Sequence, residues 1–377
     1  MQKIAKQFIY IFSLLLILTC EDKKAPTLNV PTLNKIYIAY QGTEKVGVLN
    51  GETGEIIREV DVNISPMGDN PHYIVIDEVN NFWYVTLLES GYVLKYDLIT
   101  DEIISSIKIG NMPALMEIDT ENNYLYVSRF MPMMGMETPS TYVHRIHTVT
   151  LVKDSINVGA SSPHGIALSN DGSTLWVASN QSSHFFKIET SRFNEDGYQP
   201  DNYKIDESVQ DSYNFNDGTY EPLELVLSSD GQELFISCSD MMINEIRSFS
   251  TVNGALLKNF ELSMMGMQPW HIVINPGQNV LYSASRMGNS VSIVNLNSDT
   301  GEITYVQDDA MNMPHGIGIS PDGSKVFVTS SAMMSGGINY LHIIDTSTNT
   351  VINNVNLGTD IMATGLAVMQ GTCSNCD

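Results

Sequence analysis

The stretch that decides the fold is "MPHGIGISPDGSKVFVT", residues 313–329. Apolar residues alternate through its first half, a Pro-Asp-Gly turn follows, and the second half is rich in aromatic and β-branched residues. This pattern predicts two antiparallel strands joined by a tight turn. Side chains typical of soft-metal ligands flank both ends of the hairpin: Met311, Met313, His315, Met333 and Met334.

The same hairpin recurs along the chain, each time opening with a proline. The six copies begin at Pro71, Pro113, Pro163, Pro222, Pro269 and Pro314. A second pair of strands follows each hairpin, most clearly in "VSIVNLNSDTGEITYV" (291–306) and "LHIIDTSTNTVINNV" (341–355). Four strands per unit of about 40–50 residues predict the blades of a β-propeller.

The two ends of this repeat region complete the count of blades. Residues 35–60 carry three strands but lack the first, and 362–370 form a lone first strand with Ala363 in the proline position. We therefore predict an all-β, seven-bladed propeller over 35–370, with four strands per blade, closed by the N-terminal strands plus the C-terminal strand. An acidic, Tyr-rich insertion in blade four, about 193–220, is expected to be a solvated loop or a partner-binding lid.

The motif Pro-x-Gly-Ile-x-x-Ser-x-Asp-Gly-x-x-x-x-Val, best matched in 162–180 and 313–330, resembles the YVTN-type seven-bladed propeller family. The resemblance covers 35–370 and implies the fold, which hosts many unrelated functions. "SPHGIALSNDG" (162–172) also resembles the propeller of nitrous oxide reductase, whose channel-facing histidines hold a copper cluster. That family has more histidines and a second, cupredoxin-like domain, so its activity is not carried over.

The N-terminus reads as a targeting segment. Lys3 and Lys6 precede an apolar run, 8–18, that is too short to span a bilayer comfortably. The run ends in Ile-Leu-Thr-Cys, which resembles a bacterial lipoprotein signal. We expect 1–19 to be a signal peptide and Cys20 to be lipidated; the alternative is an ordinary secretory signal with an incidental cysteine.

Residues 20–34 are predicted to be an acidic, proline-containing tether. Glu21 and Asp22, directly after the cysteine, resemble the surface-export signal of Bacteroidetes lipoproteins. These features predict a monomer outside the cytoplasm, at the outer membrane or cell surface, held to the membrane by its lipid anchor only.

Charge and cysteine content limit the partners. The chain has 19 basic and 43 acidic residues, a net charge of −24, which argues against nucleic acid and is compatible with cations. The tail, 371–377, carries Cys373 and Cys376, which are predicted to form either a disulfide or a two-thiolate metal hook.

The methionines are concentrated in particular loops. We label the strands of each blade a to d from the centre outward; the inter-blade loop leading into strand a and the b–c loop then share one face. Seventeen of the 20 methionines fall in these loops, although methionine used as core filler would lie inside strands. The candidate metal ligands among them are Met112, Met133, Met134, Met136, Met264, Met265, Met267, Met311, Met313, Met333 and Met334.

Four histidines stand at the start of predicted innermost strands. His72, His164 and His315 directly follow the proline, and His271 comes one residue later, after Trp270. They are expected to ring the mouth of the central channel. Imidazole and thioether together suit copper, with methionine favouring Cu(I). The runs at 131–136 and 264–267 also resemble methionine clusters of periplasmic copper-handling proteins, so the leading hypothesis is copper handling, buffering or sensing.

Two alternatives remain. The methionine-rich face, with Trp270, would also serve a non-catalytic module that binds a protein or a glycan. A lactonase- or strictosidine-synthase-like hydrolase would need channel carboxylates, and Glu224 is the acid found at the start of a strand a. No catalytic residue is assigned, and the four remaining histidines are interpreted as structural: His144, His147, His184 and His342.

Overall fold

The computed structural model describes residues 34–66, 68–110, 112–130, 140–209, 218–275, 277–298, 301–332 and 336–370. Within these ranges the chain forms 28 strands in seven four-stranded antiparallel sheets. The two helical turns are 3-10 helices at Thr190–Arg192 and Met264–Gly266. Among the described residues no helix is long and apolar enough to cross a membrane. The predicted all-β, seven-bladed propeller is confirmed.

Each sheet is one blade, and its strands follow the chain from the innermost outward. Blade two consists of β4 (Pro71–Asp77), β5 (Phe82–Leu87), β6 (Tyr92–Asp97) and β7 (Ile103–Lys108). Blade three consists of β8 (Pro113–Asp119), β9 (Tyr124–Arg129), β10 (Tyr142–His147) and β11 (Lys153–Asn157). Blade four consists of β12 (Pro163–Leu168), β13 (Thr174–Ser179), β14 (His184–Glu189) and β15 (Asp201–Lys204). Blade five consists of β16 (Pro222–Leu227), β17 (Glu233–Cys238), β18 (Glu245–Ser250) and β19 (Leu256–Glu261). Blade six consists of β20 (Pro269–Asn275), β21 (Val280–Ser285), β22 (Ser290–Asn295) and β23 (Ile303–Gln307). Blade seven consists of β24 (Pro314–Ile319), β25 (Lys325–Ser330), β26 (Ile338–Asp345) and β27 (Thr350–Thr359).

Blade one joins the two ends of the propeller. Its strands, from the centre outward, are β28 (Ala363–Val368), β1 (Lys35–Tyr40), β2 (Lys45–Asn50) and β3 (Ile56–Asp61). β28 pairs antiparallel with β1, with Leu366 opposite Ile38. The predicted closure by N-terminal strands plus a C-terminal strand is confirmed, and it completes blade one as a four-stranded sheet.

Blade four differs from the sequence-based expectation. Its outermost strand, β15, lies inside the stretch interpreted as a solvated insertion, and pairs with β14. Four apolar or aromatic residues of this stretch are buried: Phe193, Ile205, Val209 and Tyr220. The acidic composition concealed a strand because an outer strand exposes much of its surface, so few apolar residues are needed to hold it.

A repeated backbone device shapes the start of every strand a. The residue before it has a positive φ of 46–60° in all seven blades: Asn70, Met112, Ser162, Glu221, Gln268, Met313 and Met362. The pairing of strand a with strand b then shifts register between the first and fourth residues of strand a. Such bulges re-aim side chains, so the second and third residues of strand a are turned out of the regular pleat.

Hydroxyl groups on strand b form hydrogen bonds both to strand a of their own blade, at this bulge, and to strand a of the next blade. Ser237 of β17 accepts from the backbone N–H of Glu224 at 3.2 Å and donates to the carbonyl of Trp270 at 2.8 Å in blade six. Ser128 likewise joins its own strand a to the carbonyl of His164. The second residues of neighbouring strands a are thereby held at fixed positions around the axis.

The loops before strand a and the b–c loops share one face, as predicted. Asn244, in the b–c loop of blade five, accepts from the backbone N–H of Gln268, which precedes β20, at 2.9 Å. Asn289 makes the same bond to Met313, one blade further on, at 2.9 Å. These bonds join each b–c loop to the start of the following blade.

Candidate functional site

Four histidine side chains form a closed circuit at this end of the central channel, which we call the histidine ring: His72, His164, His271 and His315. Going round, the centroids of successive imidazoles are 6.3, 6.2, 5.1 and 5.8 Å apart. Each residue is only 2–8% exposed. The prediction that these four slots converge is therefore met by the geometry.

The ring is built from alternate and adjacent blades. Its members lie on β4, β12, β20 and β24. Close packing of the innermost strands brings them together: a Cβ added to Gly365 would stand less than 3.0 Å from the carbonyl oxygen of His72, and one added to Gly165 would stand as close to the carbonyl of Leu223. Glycine at these positions lets neighbouring strands approach, which narrows the channel mouth.

Two of the imidazoles are oriented by hydrogen bonds from one ring nitrogen. Nδ1 of His164 donates to the carbonyl of Leu223 at 2.9 Å. Nδ1 of His271 lies 2.8 Å from Oε2 of Glu224, which also accepts from the backbone N–H of Ile272 at 2.6 Å. Because a carbonyl or carboxylate accepts the Nδ1 hydrogen, Nε2 of each ring carries the free lone pair. Histidines that bind metals are oriented in this way.

Other ring nitrogens are buried without a hydrogen-bond partner. Both nitrogens of His72, Nε2 of His271 and Nδ1 of His315 are in this state. Nε2 of His315 accepts from the indole Nε1–H of Trp270 at 3.2 Å. Native structures leave few buried polar atoms unpaired, so this cluster of orphaned nitrogens requires a physical explanation.

Burial favours the neutral form of three ring members, His72, His164 and His315. Desolvation, and next the neighbouring His271 and Arg286, lowers the pKa of His72 to about 3. Burial, followed by the charges of neighbouring histidines, also holds the pKa of His164 and of His315 well below the usual value. Neutral imidazole is the form that binds metal ions.

Several residues that the sequence did not single out complete the site. Tyr73 stacks on His271 with centroids 6.1 Å apart, and the ring of Phe130 meets His164 edge-on at 4.7 Å. The guanidinium carbon of Arg286 lies 4.6 Å from the centroid of Trp270. These contacts bring together residues distant in sequence, and no local pattern marked them.

A second carboxyl group on an innermost strand is coupled electrostatically to Glu224. Burial, and then the charge of Glu224, raises the pKa of Glu117 on β8 to about 8. Both carboxyl groups also help to raise the pKa of Tyr73, after burial. The protonated form of Glu117 is therefore favoured at neutral pH.

Among the described residues, the predicted methionine ligands differ widely in burial. Met311 is buried within the hydrophobic core shared with Tyr282 and Val328, which explains its burial as packing. Met112 is also buried, Met313 and Met267 are half-buried, and Met264 and Met265 are exposed. Five proposed ligands lie outside the described residues: Met133, Met134, Met136, Met333 and Met334.

Other predicted features also fall outside the described residues: Cys20, Cys373 and Cys376, with the segments 1–19 and 371–377. Cys238 is described, and is a buried free thiol. As placed, the described parts of the chain contain no group of three or more His, Cys, Asp or Glu residues arranged to hold a metal ion.

Comparison with known proteins supports the architecture. The sequence profile of the family described as "Lactonase, 7-bladed beta-propeller" matches residues 161–321. No curated protein matches the chain. Among solved structures, a putative 6-phosphogluconolactonase from Bacteroides fragilis is 14% identical with a TM-score of 0.67, covering 90% of this chain and 99% of its own.

Two further structures illustrate the range of proteins with this fold. The periplasmic gluconolactonase of Pseudomonas aeruginosa is 14% identical with a TM-score of 0.66, covering 90% of this chain and 99% of its own. Hydrazine synthase of Kuenenia stuttgartiensis is 14% identical with a TM-score of 0.61, covering 80% of this chain and 96% of its own. At such identities the similarity establishes the shared fold alone.

Proposed function

We propose that this protein binds copper at the histidine ring. The observation that carries the proposal is the closed circuit of four buried imidazoles, three of which (His72, His271 and His315) have buried ring nitrogens without a hydrogen-bond partner. Each buried polar atom left unpaired costs about 1–3 kcal/mol. A cation bound between the rings would use their lone pairs and remove part of this cost.

The size of the ring is close to what a shared metal needs. With metal–nitrogen bonds of about 2.0 Å, adjacent imidazole centroids stand roughly 4.5–5 Å apart. His271 and His315, at 5.1 Å, are near this spacing, and the other neighbours are 5.8–6.3 Å apart. Binding therefore requires the rings to move inward by an ångström or less, on the order of a side-chain adjustment.

Copper is favoured among metals that suit imidazole. Affinity at a nitrogen site rises along the divalent series to a maximum at Cu(II). The carboxylate of Glu224, hydrogen-bonded to His271, raises the basicity of that ligand and adds negative charge. Arg286 opposes this, since its positive charge lowers the pKa of His72 and would also repel a metal ion.

The proposed setting is outside the cytoplasm, with the chain anchored through a lipid on Cys20. Copper handling, buffering or sensing would all use the ring as a stable resting site. The strongly negative net charge favours accumulation of cations near the protein surface.

The test is metal titration of the metal-free protein with Cu(II), Cu(I), Zn(II) and Ni(II) against competing chelators. One equivalent of copper, bound more tightly than zinc or nickel, is expected. Loss of a residue that only hydrogen-bonds a metal ligand typically weakens metal binding roughly 10–100-fold. His72→Ala and His271→Ala, which each remove a ligand, should weaken copper binding by more than this. His147→Ala, a histidine outside the ring, is the matched control. Binding that is unaffected by the ring substitutions would refute the proposal.

A second candidate is hydrolysis of a lactone. It is supported by the partial match to a lactonase family over 161–321 and by the Glu224–His271 pair beside Glu117. His271 would act as general base on water and Glu117, protonated at neutral pH, as general acid. The net charge of −24 favours a neutral lactone over a phosphorylated one. Turnover of gluconolactone by metal-free protein, lost in Glu224→Gln, would support this candidate over metal binding.

A further inference from the structure

Six methionines lie in three loops of blades five and six, and we call them the rim cluster: Met241, Met242, Met264, Met265, Met267 and Met287. Met242 is 88% exposed and Met264 is 71% exposed. Among the methionines that the structure describes, the exposed ones are Met241, Met242, Met264, Met265 and Met287, and all five belong to this cluster. Within the described ranges, the exposed thioethers therefore lie in these three loops.

Hydrogen bonds hold the three loops against one another. The side-chain amide of Asn244 donates to the carbonyl of Met241 at 3.1 Å, and its oxygen accepts from the N–H of Gln268 at 2.9 Å. The backbone N–H of Met287 donates to the carbonyl of Met267 at 3.2 Å. A Cβ added to Gly288 would stand less than 3.0 Å from the carbonyl oxygen of Met265. The six side chains are therefore rooted on loops in direct contact.

Thioether chemistry limits what such a cluster would bind. A thioether sulfur is neutral, does not titrate, cannot donate a hydrogen bond and accepts only weakly from water. Soft thioether ligands select Cu(I) over hard or borderline divalent ions. Isolated exposed apolar residues need no explanation, but Leu would serve as well as Met if only apolar contact were required at all six positions.

We propose that the rim cluster is a second metal site, separate from the histidine ring, which takes a soft monovalent cation of the Cu(I) class. The site lies on the same face as the ring. Met267 stands four residues before His271, and Met287 follows Arg286, which covers Trp270. The proposal does not depend on the histidine ring being occupied.

The probe is Ag(I), a redox-inert ion of the same class, added to full-length protein labelled with ¹³C in the methionine methyl groups. One Ag(I) bound at the rim cluster should shift the methyl resonances of these six residues. In the six-fold Met→Leu variant, Ag(I) stoichiometry should fall by one while Zn(II) binding stays unchanged. Leucine is close to methionine in volume, and five of the six sites are exposed, so the fold should be retained.

Two further variants sharpen the test. Met362→Leu combined with Met369→Leu removes two methionines outside the cluster and should leave Ag(I) binding unchanged. Met242→Leu combined with Met264→Leu, the least invasive change, should weaken Ag(I) binding at least tenfold. Equal Ag(I) stoichiometry in the six-fold variant and the unmodified protein, or methyl shifts confined to other methionines, would overturn the inference. Failure of Zn(II) and Cu(II) to bind either protein would refute the histidine ring alone.

Discussion

His72 should contribute a defined loss of stability to the metal-free protein when the pH is lowered from 7 to 5, and the variant His72→Gln isolates that contribution. Burial lowers the pKa of this histidine from 6.5 to about 3. Below pH 6.5 the unfolded chain binds a proton at this position and the folded chain does not. Stability is therefore lost progressively as the pH falls from 6.5 toward 3.

The magnitude follows from the size of the shift. One pKa unit corresponds to about 1.36 kcal/mol, and pH 5 lies 1.5 units below the unfolded pKa, so His72 should cost roughly 2 kcal/mol of unfolding free energy at pH 5. His164 and His315, whose pKa values are also lowered by burial, add to this in the same direction.

The assay is urea denaturation at pH 7 and pH 5 for the unmodified protein and for His72→Gln, which cannot titrate. The unmodified protein should lose about 2 kcal/mol more than the variant between these pH values. His144→Gln is an informative comparison, because burial lowers the pKa of His144 to about 4 outside the ring. An identical pH dependence with and without His72 would refute the claim that the His72 imidazole is buried in its neutral form.

Four other outcomes are expected. Because burial keeps His72, His164 and His315 unprotonated, these three ligands together should contribute less than about threefold to any loss of copper affinity between pH 7 and 5, whereas ligands with ordinary histidine pKa values would lose about 30-fold each. Competition titration at both pH values distinguishes the two. Glu224→Gln should weaken copper binding roughly 10–100-fold by removing the anionic partner of His271, and Glu233→Gln, on the adjacent strand β17, should leave it unchanged. Arg286→Met should tighten binding by roughly tenfold or more because it removes a nearby positive charge, while Arg286→Lys, which keeps the charge, should not. Trp270→Phe should free Nε2 of His315 and tighten binding by about fivefold, the equivalent of one hydrogen bond of about 1 kcal/mol; weaker binding in this variant would show that the indole supports the ligand instead of competing for it.

The fold was predictable because each blade is encoded locally. Period-two alternation, Asp-Gly turns and the proline before each strand a recur within a few tens of residues, and strand a of blade one was recognisable in 362–370. Strand β15 was missed because an outer strand in an acidic, Tyr-rich stretch carries little apolar pattern. The segments 1–19 and 371–377, with the lipid anchor and the cysteine pair, remain predictions.

The site was predictable in part. Repeat alignment placed His72, His164 and His315 in one slot and His271 beside it, and the structure brings all four into one ring. The assignment of methionines as ligands was less specific, because position in a loop does not distinguish Met311, packed in the core, from Met264, exposed to solvent.

By itself, the sequence determined the number of blades, their closure and the face on which histidine and methionine accumulate, because these depend on short-range periodicity and on the up-and-down path of the chain. Only the tertiary structure decided which side chains meet. The contact of Glu224 with His271 joins two neighbouring blades. The stacking of Tyr73 on His271 joins residues almost two hundred positions apart in the chain. The burial of the histidine ring and the exposure of most of the rim cluster likewise depend on how the blades pack together. Bulges at the start of strand a and the close approach of neighbouring innermost strands set burial and distance at the channel mouth, and contacts between strands of different blades are not encoded in any one repeat.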